Sequence, residues 1–308
     1  MPAPRDRLSY GDRVARLAYL GTPQMAVPPL QALLEAGHDV VLCVTRPDRR
    51  RGRGATKTPN PVKDAALRLG IPVSQDMDDL VGLDAELAVV VAFGRIIPAS
   101  VLHALPMVNV HFSLLPRWRG AAPVERAILA GDAETGVCLM KVAEGLDTGD
   151  VYTVRSVPMD DEVTLSELRV RLVDTACDLL VETLKDGLHG LPEAAPQHGE
   201  VTVAEKITKK DLHLDWVQPA VQLHRVVRLE HAWTTFRGKR LGVLEAPVAE
   251  SPPGHSGTVP GTLMGTSVAT GAGILELRRV QPESRSPMSA DEWIRGVRPS
   301  EDERLGTD

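Results

Sequence analysis

Apolar and polar positions follow two regimes along the 308-residue chain. Up to about residue 190, short unbroken apolar runs alternate with stretches of helical periodicity. "VARLAYL" (14–20), "DVVLCVT" (39–45) and "ELAVVVA" (86–92) are such runs, as expected of strands buried on both faces. "MAVPPLQALLEAG" (25–37) and "NPVKDAALRLG" (60–70) read as helices, each closed by a glycine. "APVERAILAG" (122–131) predicts a further helix, and "GVCLMKV" (136–142) and "VYTVRSVPM" (151–159) predict strands. Thr164 and Glu167 form a capping box ahead of a long helix over 165–187. Such alternation predicts parallel βαβ units in an α/β, doubly wound sheet. "GLPEAAPQHGE" (190–200) breaks the pattern as a linker would. Beyond residue 210 one helical stretch, "VQPAVQLHRVVRL", is followed by short β-like pieces separated by Gly and Pro. They predict a small β-rich, OB-like barrel or sheet domain. The expected organisation is a loose extension over 1–13, a first domain over 14–189, a linker over 190–210 and a second domain over 211–308. "ESPPGHSG" (250–257) reads as an exposed loop.

One apolar strand carries polar side chains on a single face. In "VNVHFSLLP" (108–116), Asn109 and His111 are two residues apart and project to the same side, about 7 Å from each other. Pro116 ends the ladder, so the pair sits near the strand's carboxyl end, where ligands bind in open α/β sheets. Taken alone, an Asn-x-His pair is more often the solvated face of an edge strand. A third candidate is Asp147, in "EGLDTGDVY" (144–152), between Gly145 and Gly149. Alone it reads as an ordinary turn residue. A carboxylate beside a histidine would orient the ring and favour its protonated form. Asn and His⁺ would supply donors to a developing oxyanion. No nucleophile elbow is present, because "HFSLL" is not G-x-S-x-G. The chemistry expected of such a device would then be direct acyl transfer to an external nucleophile, or hydrolysis.

Composition narrows the classes. Hydrophobic residues make up 43% and charged residues 25%, as in ordinary soluble domains, while aromatics are only 3%, so the cores must be aliphatic. A net charge of −6 argues against a globally basic nucleic-acid binder but not against a local patch. Cys43, Cys138 and Cys177 lie far apart and fit neither a metal site nor a disulfide framework. No metal is expected. The N-terminus lacks the apolar segment of a signal peptide, and no apolar run is long enough to span a membrane, so a cytoplasmic protein is expected. "GTP" at 21–23 lacks any phosphate-loop context and reads as a structural turn.

The segment "VNVHFSLLPRWRGAAPVERAILAGDAETGVCLMKVAEGLDTGDVY" resembles the methionyl-tRNA formyltransferase family. "YLGTPQMAVPPLQALLEAGHDVV", "RPDRRRGRGATKTPNPVK" and "AEKITKKDLHLDW" are similar to its opening and junction segments. Asn-x-His-x-S-L-L-P with a later L-D-T-G is specific to folate-dependent formyltransferases, and "LLPRWRGAAP" narrows the likeness to the transfer-RNA branch.

The resemblance implies a Rossmann-like formyltransferase domain followed by a tRNA-binding domain. It implies 10-formyltetrahydrofolate as donor and the α-amine of methionine on initiator tRNA as acceptor. Asn109, His111 and Asp147 match the catalytic trio. Ser113, Leu114, Leu115 and Pro116 match the segment bordering the folate, with Phe93, Arg95 and Ile97 in "AFGRII" at its pterin end and the loop 143–147 opposite. Arg49, Arg50, Arg51, Arg53 and Lys57 match the arm that handles the tRNA acceptor stem, with Arg53 its key arginine. Lys209 and Lys210 belong to a basic face of the second domain, together with Lys206, Arg237, Lys239 and Arg240. The chain is expected to act as a monomer and away from membranes. Where the family often carries Asn-Pro-Trp-Pro, this chain reads "LEHAWTTF" (229–236), leaving Trp233 as a partial stand-in. The rival expectations are a folate enzyme with another acceptor and a catalytically silent RNA-binding protein. The arginine loop argues against the first and the intact trio against the second.

Overall fold

A computed structural model describes residues 14–50, 57–249 and 258–307. Arg51, Arg53, the extension 1–13 and the loop predicted over 250–257 lie outside them, and of Arg49, Arg50 and Lys57 only the backbone is described. The chain forms two compact units that do not follow it linearly. The first takes residues up to Pro123, Thr135–Pro158 and Arg169–Ala204; the second takes Val124–Glu134, Met159–Leu168 and Glu205–Asp308.

The first part of the chain runs β1 (Arg16–Gly21), α1 (Val27–Glu35), β2 (Asp39–Val44), β3 (Arg49–Arg50), β4 (Lys57–Thr58), α2 (Pro61–Arg68), β5 (Val73–Ser74), β6 (Leu87–Val91), α3 (Ala99–Ala104), β7 (Met107–His111), β8 (Arg119–Gly120), α4 (Pro123–Ala130), β9 (Glu134–Lys141), β10 (Val151–Pro158), α5 (Leu165–Leu184) and β11 (Val203–Ala204). Seven strands make one sheet in the order β10-β9-β7-β6-β1-β2-β5. The strands from β5 to β7 pair in parallel, as the alternation predicts. The next strand departs from it. β9 runs antiparallel to β7, with His111 opposite Cys138 and Val108 opposite Lys141. The preceding α4 lies largely in the second unit rather than serving as a crossover helix on this sheet.

The central strands are buried on both faces, which is why they read as unbroken apolar runs; all of Leu87–Val91 is buried. The chain leaves β1 for β2 and β5, then returns to the other side of β1 as β6. That reversal creates the crevice in which such sheets bind ligands. Thr22, just past β1, donates its hydroxyl to the Phe93 carbonyl, just past β6, and so ties the two strand ends together (3.2 Å). Asn60 caps α2 by accepting from Lys63 N–H at 3.0 Å, and Thr164 and Glu167 complete the predicted capping box. Cys43 and Cys138 are core thiols whose pKa values burial pushes up to about 12 and about 11, so neither is reactive at neutral pH.

The second unit adds α6 (Ala220–Val227), β12 (Trp233–Phe236), β13 (Lys239–Glu245), β14 (Val248–Ala249), β15 (Leu263–Met264), β16 (Ser267–Ala269), β17 (Ile274–Glu276), β18 (Arg279–Pro282), β19 (Met288–Ser289) and α7 (Ala290–Val297). Its strands form two small sheets, β12-β13-β18-β19 and β14-β17-β16-β15, with antiparallel pairing throughout. Trp216, Phe236 and Trp293 centre its core, and Leu129 of α4 packs against it. The buried Trp216 indole N–H is satisfied by the Thr234 hydroxyl at 2.9 Å. The sequence pattern did not predict α7, although Ser289 and Glu292 form the capping box that starts it. Among the described residues, no helix is long and apolar enough to cross a membrane.

One buried group makes stability depend on pH. His38 follows the left-handed Gly37 just before β2, is 5% exposed, and has no hydrogen-bond partner for either ring nitrogen among the described residues. Burial lowers its pKa below the usual histidine value, and Glu86 offsets this in part. The unfolded chain therefore binds the proton more readily. The neutral ring's contribution is fully present above about pH 6.5 and is lost as pH falls toward the lower folded value, by up to about 1.4 kcal/mol per pH unit. Melting temperatures of wild type and His38→Met between pH 8 and 5 should diverge in slope only below about pH 6.5, with the wild type falling faster.

Candidate active site

The site is built where β7 ends. Asn109 and His111 lie on one face of β7, between β6 and β9; Asn109 is opposite Val90 and Met140. Asn109 is half-buried, and its amide has no hydrogen-bond partner among the described residues. His111 is buried, and its Nε2 lies 2.9 Å from the Trp118 carbonyl oxygen. A carbonyl only accepts, so Nε2 carries the hydrogen and the ring's orientation is fixed. Nδ1 then faces Asp147 Oδ2 at 3.7 Å.

Asp147 reaches His111 by an indirect route. Because β9 is antiparallel, it ends beside Val108, three residues before His111, so the loop after it must fold back along β7 to bring its carboxylate to the ring. Asp147 adopts a left-handed backbone, φ 51°, which favours glycine, asparagine and aspartate. Gly149 passes so close to the Lys141 carbonyl that a Cβ there would overlap its oxygen. The Asp147 carboxylate is anchored by the Gly120 N–H, which donates to Oδ2 at 2.8 Å. A hydrogen bond to a charged group is worth about 1.5–3 kcal/mol.

The turn after β7 is held from within. Ser113 is fully buried and donates its hydroxyl to the Arg117 carbonyl at 2.6 Å, so it shapes the turn rather than facing open space. Leu114 and Leu115 are half-buried, Pro116 is buried, and the Leu115–Pro116 peptide is cis. Trp118 is left-handed (φ 62°), and its N–H donates to Thr202 Oγ1 at 2.8 Å. In the 92–97 segment, Phe93 and Ile97 are core side chains packed with Leu20, Val90 and Val101, which leaves only their backbone to meet a ligand. Arg95 is exposed and donates to the Gln75 carbonyl at 3.2 Å. Ile96 and Leu146 are large exposed apolar side chains on the two loops. Three groups went unread in the sequence. Arg119, Gln197 and Thr202 lie beside the trio, the last two in a stretch whose Pro and Gly content reads as linker.

Both described ends of the arginine loop are pinned. Lys63 Nζ lies 2.6 Å from Asp48 Oδ2, and Asn60 Nδ2 donates to the Arg46 carbonyl at 2.9 Å. β3 and β4 pair there, Arg49 opposite Thr58 and Arg50 opposite Lys57. In the second unit Lys209 and Lys210 are exposed, and the Trp233 indole donates to the Lys209 carbonyl at 3.1 Å. The Arg240 guanidinium lies 5.1 Å from the Trp233 ring centre. Arg237 is instead paired with Glu303, whose carboxyl that contact holds down at about 2.

Residues 15–184 match the family model described as formyl transferase, and residues 206–298 match that described as formyl transferase, C-terminal domain. The methionyl-tRNA formyltransferase of Symbiobacterium thermophilum is 41% identical over 302 residues, covering 91% of this chain and 92% of the relative. That of Paracoccus denitrificans is 42% identical over 298 residues, covering 92% and 97%. The chain belongs to the methionyl-tRNA formyltransferase family. A crystal structure of an N-formyltransferase from Helicobacter canadensis, with folinic acid and dTDP-3-aminofucose, superposes with a TM-score of 0.66 over 86% of this chain and 99% of that one. At 16% identity the latter shows a shared fold.

In this formyltransferase the close passage at Gly149 yields a direct test. Gly149→Ala must push the 142–150 loop away from Lys141, at a cost of about 1–3 kcal/mol for overpacking, and displace Asp147. Formylation should fall by more than tenfold while the melting temperature drops only by the amount that cost implies, as measured by activity and thermal melts on the same preparation.

Proposed function

We infer that the chain transfers the formyl group of 10-formyltetrahydrofolate to the α-amine of methionyl initiator tRNA, with Asn109, His111 and Asp147 as its catalytic residues. The observation that carries this reading is the approach of the Asp147 carboxylate to His111 at the carboxyl end of β7, two residues along the strand from Asn109, in a chain whose relatives bear that activity's name. The residues fit a formyl donor. The Asn109 amide, without a hydrogen-bond partner among the described residues, offers N–H donors to the formyl oxygen, and Ile96 and Leu146 give apolar surface for a ring system. The backbone of Phe93, Arg95 and Ile97 and the turn Ser113–Pro116 flank it.

Bound there, 10-formyltetrahydrofolate supplies an activated acyl carbon for the neutral amine. Negative charge grows on the formyl oxygen as the amine adds, and preorganised donors aimed at that oxygen are commonly the largest catalytic contribution. The Trp118 carbonyl already occupies Nε2 of His111, so the donor left to the protonated ring is Nδ1–H, acting beside Asn109 Nδ2. At 3.7 Å, Asp147 is too far for a direct hydrogen bond to Nδ1. Through an intervening water it takes the proton the amine must lose and returns it to the folate nitrogen as the bond to the formyl carbon breaks, releasing tetrahydrofolate.

The arginine loop, with Arg49, Arg50, Arg51, Arg53 and Lys57, is suited by its charge to contact the acceptor end of the tRNA. Lys209, Lys210, Arg240 and the part-exposed Trp233 support a second RNA surface, where an aromatic face can stack and cations neutralise phosphates. The reading takes the chain to act as a monomer. The reading places that action in the cytoplasm, where initiator tRNA is charged. Deleting the C-terminal segment is a poor test, because it would strip Val124–Glu134 and Met159–Leu168 of the unit they belong to.

The deciding experiment is formyl transfer from 10-formyltetrahydrofolate to initiator and to elongator methionyl-tRNA. Only the initiator should be turned over efficiently. His111→Ala should lower kcat by roughly 10²–10³-fold while donor affinity stays close to wild type, as read by steady-state kinetics and equilibrium titration. Near-normal turnover of the variant would refute the mechanism.

Salt dependence separates the arginines. Arg50→Ala should flatten the fall of kcat/KM with salt by about one phosphate contact. Arg53→Ala should instead lower kcat, as expected of a side chain that positions the acceptor end.

A further inference from the structure

We propose that Gln197 is a positioning residue for Asp147, so that the segment joining the two formyltransferase matches takes part in catalysis. The inference rests on the reading of Asp147 given above. Residues 185–205 fall between the two matched stretches, and their Pro and Gly content is that of a connector. Residues 195–204 are nevertheless hydrogen-bonded into the first unit. Ala195 and Val151 exchange both backbone hydrogen bonds, at 2.9 and 2.8 Å. Thr202 accepts from Trp118 N–H, and β11 pairs with β8.

Gln197 lies in the middle of this strap. Its Nε2 donates to the carbonyls of Asp147 (2.9 Å) and Gly149 (2.7 Å). Its Oε1 accepts from Arg119 Nε (3.0 Å) and Nη2 (2.7 Å). Carbonyls only accept and a guanidinium only donates, so the amide has a single satisfying orientation, with both its N–H donors and both its lone pairs used. Arg119 directly precedes Gly120, whose N–H holds the Asp147 carboxylate. Gln197, Arg119, Gly120 and Asp147 therefore close a ring that fixes the backbone and the carboxylate of Asp147 together. Such a ring is needed because Asp147 is left-handed and its neighbours Gly145, Leu146 and Thr148 are exposed. Left to itself, the loop could relax and carry the carboxylate away from His111. A misplacement of about 1 Å can cost on the order of 10²-fold in rate.

The test uses the full chain with Gln197→Met, which keeps length and removes all four hydrogen bonds. Gln197→Glu keeps the acceptor for Arg119 and loses both donors to the loop; it supplies the same reading if the Met variant does not fold. Each is also combined with Asp147→Asn. The expected result is a kcat about 10- to 100-fold lower, a KM for 10-formyltetrahydrofolate within about twofold of wild type, and a displaced pH–rate profile. In the Asp147→Asn background the same change should cost less than about twofold, since nothing remains to be positioned. Normal kcat and pH profile in Gln197→Met, or a full loss repeated in the Asp147→Asn background, would overturn the inference. A severe Asp147→Asn beside an unaffected Gln197→Met would overturn it alone, whereas normal turnover in Asp147→Asn would overturn the reading of the trio and this inference with it.

Discussion

The hydrogen bond from the Gly120 N–H to the Asp147 carboxylate joins segments that the sequence keeps apart. On one side is the turn that follows β7, whose Trp118 carbonyl sets the tautomer of His111. On the other is a loop that leaves β9 at the level of Val108 and must double back. Without that anchor the carboxylate has no reason to stop 3.7 Å from the imidazole. Backbone N–H groups suit this role. They cannot titrate or change rotamer, so the charge is held in a fixed place.

Among the described residues of the first unit, left-handed non-glycine backbone falls only around this site. Ala92, Trp118 and Asp147 are all non-glycine residues in the left-handed region, on three different loops. Positions of that kind cost of order 1–3 kcal/mol each and survive where the surroundings over-determine them. Here the surroundings are visible: Thr22 on the Phe93 carbonyl, Thr202 on the Trp118 N–H, and Gln197 on the Asp147 carbonyl.

Much of this was legible in the sequence, for reasons that differ by element. The strands β1, β2 and β6 stand out because burial on both faces forces an unbroken apolar run. Asn109 and His111 stand out because period-two geometry makes them neighbours whatever the rest of the chain does. Asp147 was legible through its family motif, but the antiparallel course of β9 was not, since helix–strand alternation does not encode strand direction. Gln197 and Thr202 were hidden. A side chain that works through hydrogen bonds to distant backbone leaves no periodic trace, and Pro and Gly around it read as slack. In the second unit α7 carries Ala290, Trp293, Ile294 and Val297 at helical spacing behind its capping box, but at eight residues it is a single short helix among Gly- and Pro-separated β-like pieces and was passed over.

The second unit draws on three separate stretches of chain. For a gene, that changes what a module is. A single crossover between relatives near residue 205 would bring in two foreign sheets but leave Leu129 and its neighbours native, facing a core they were not selected with. Exchanging the unit intact takes crossovers on both sides of 124–134 and of 159–168 as well. Diversity in the second unit across the family should therefore accumulate by substitution on its surface more readily than by swapping whole C-terminal halves.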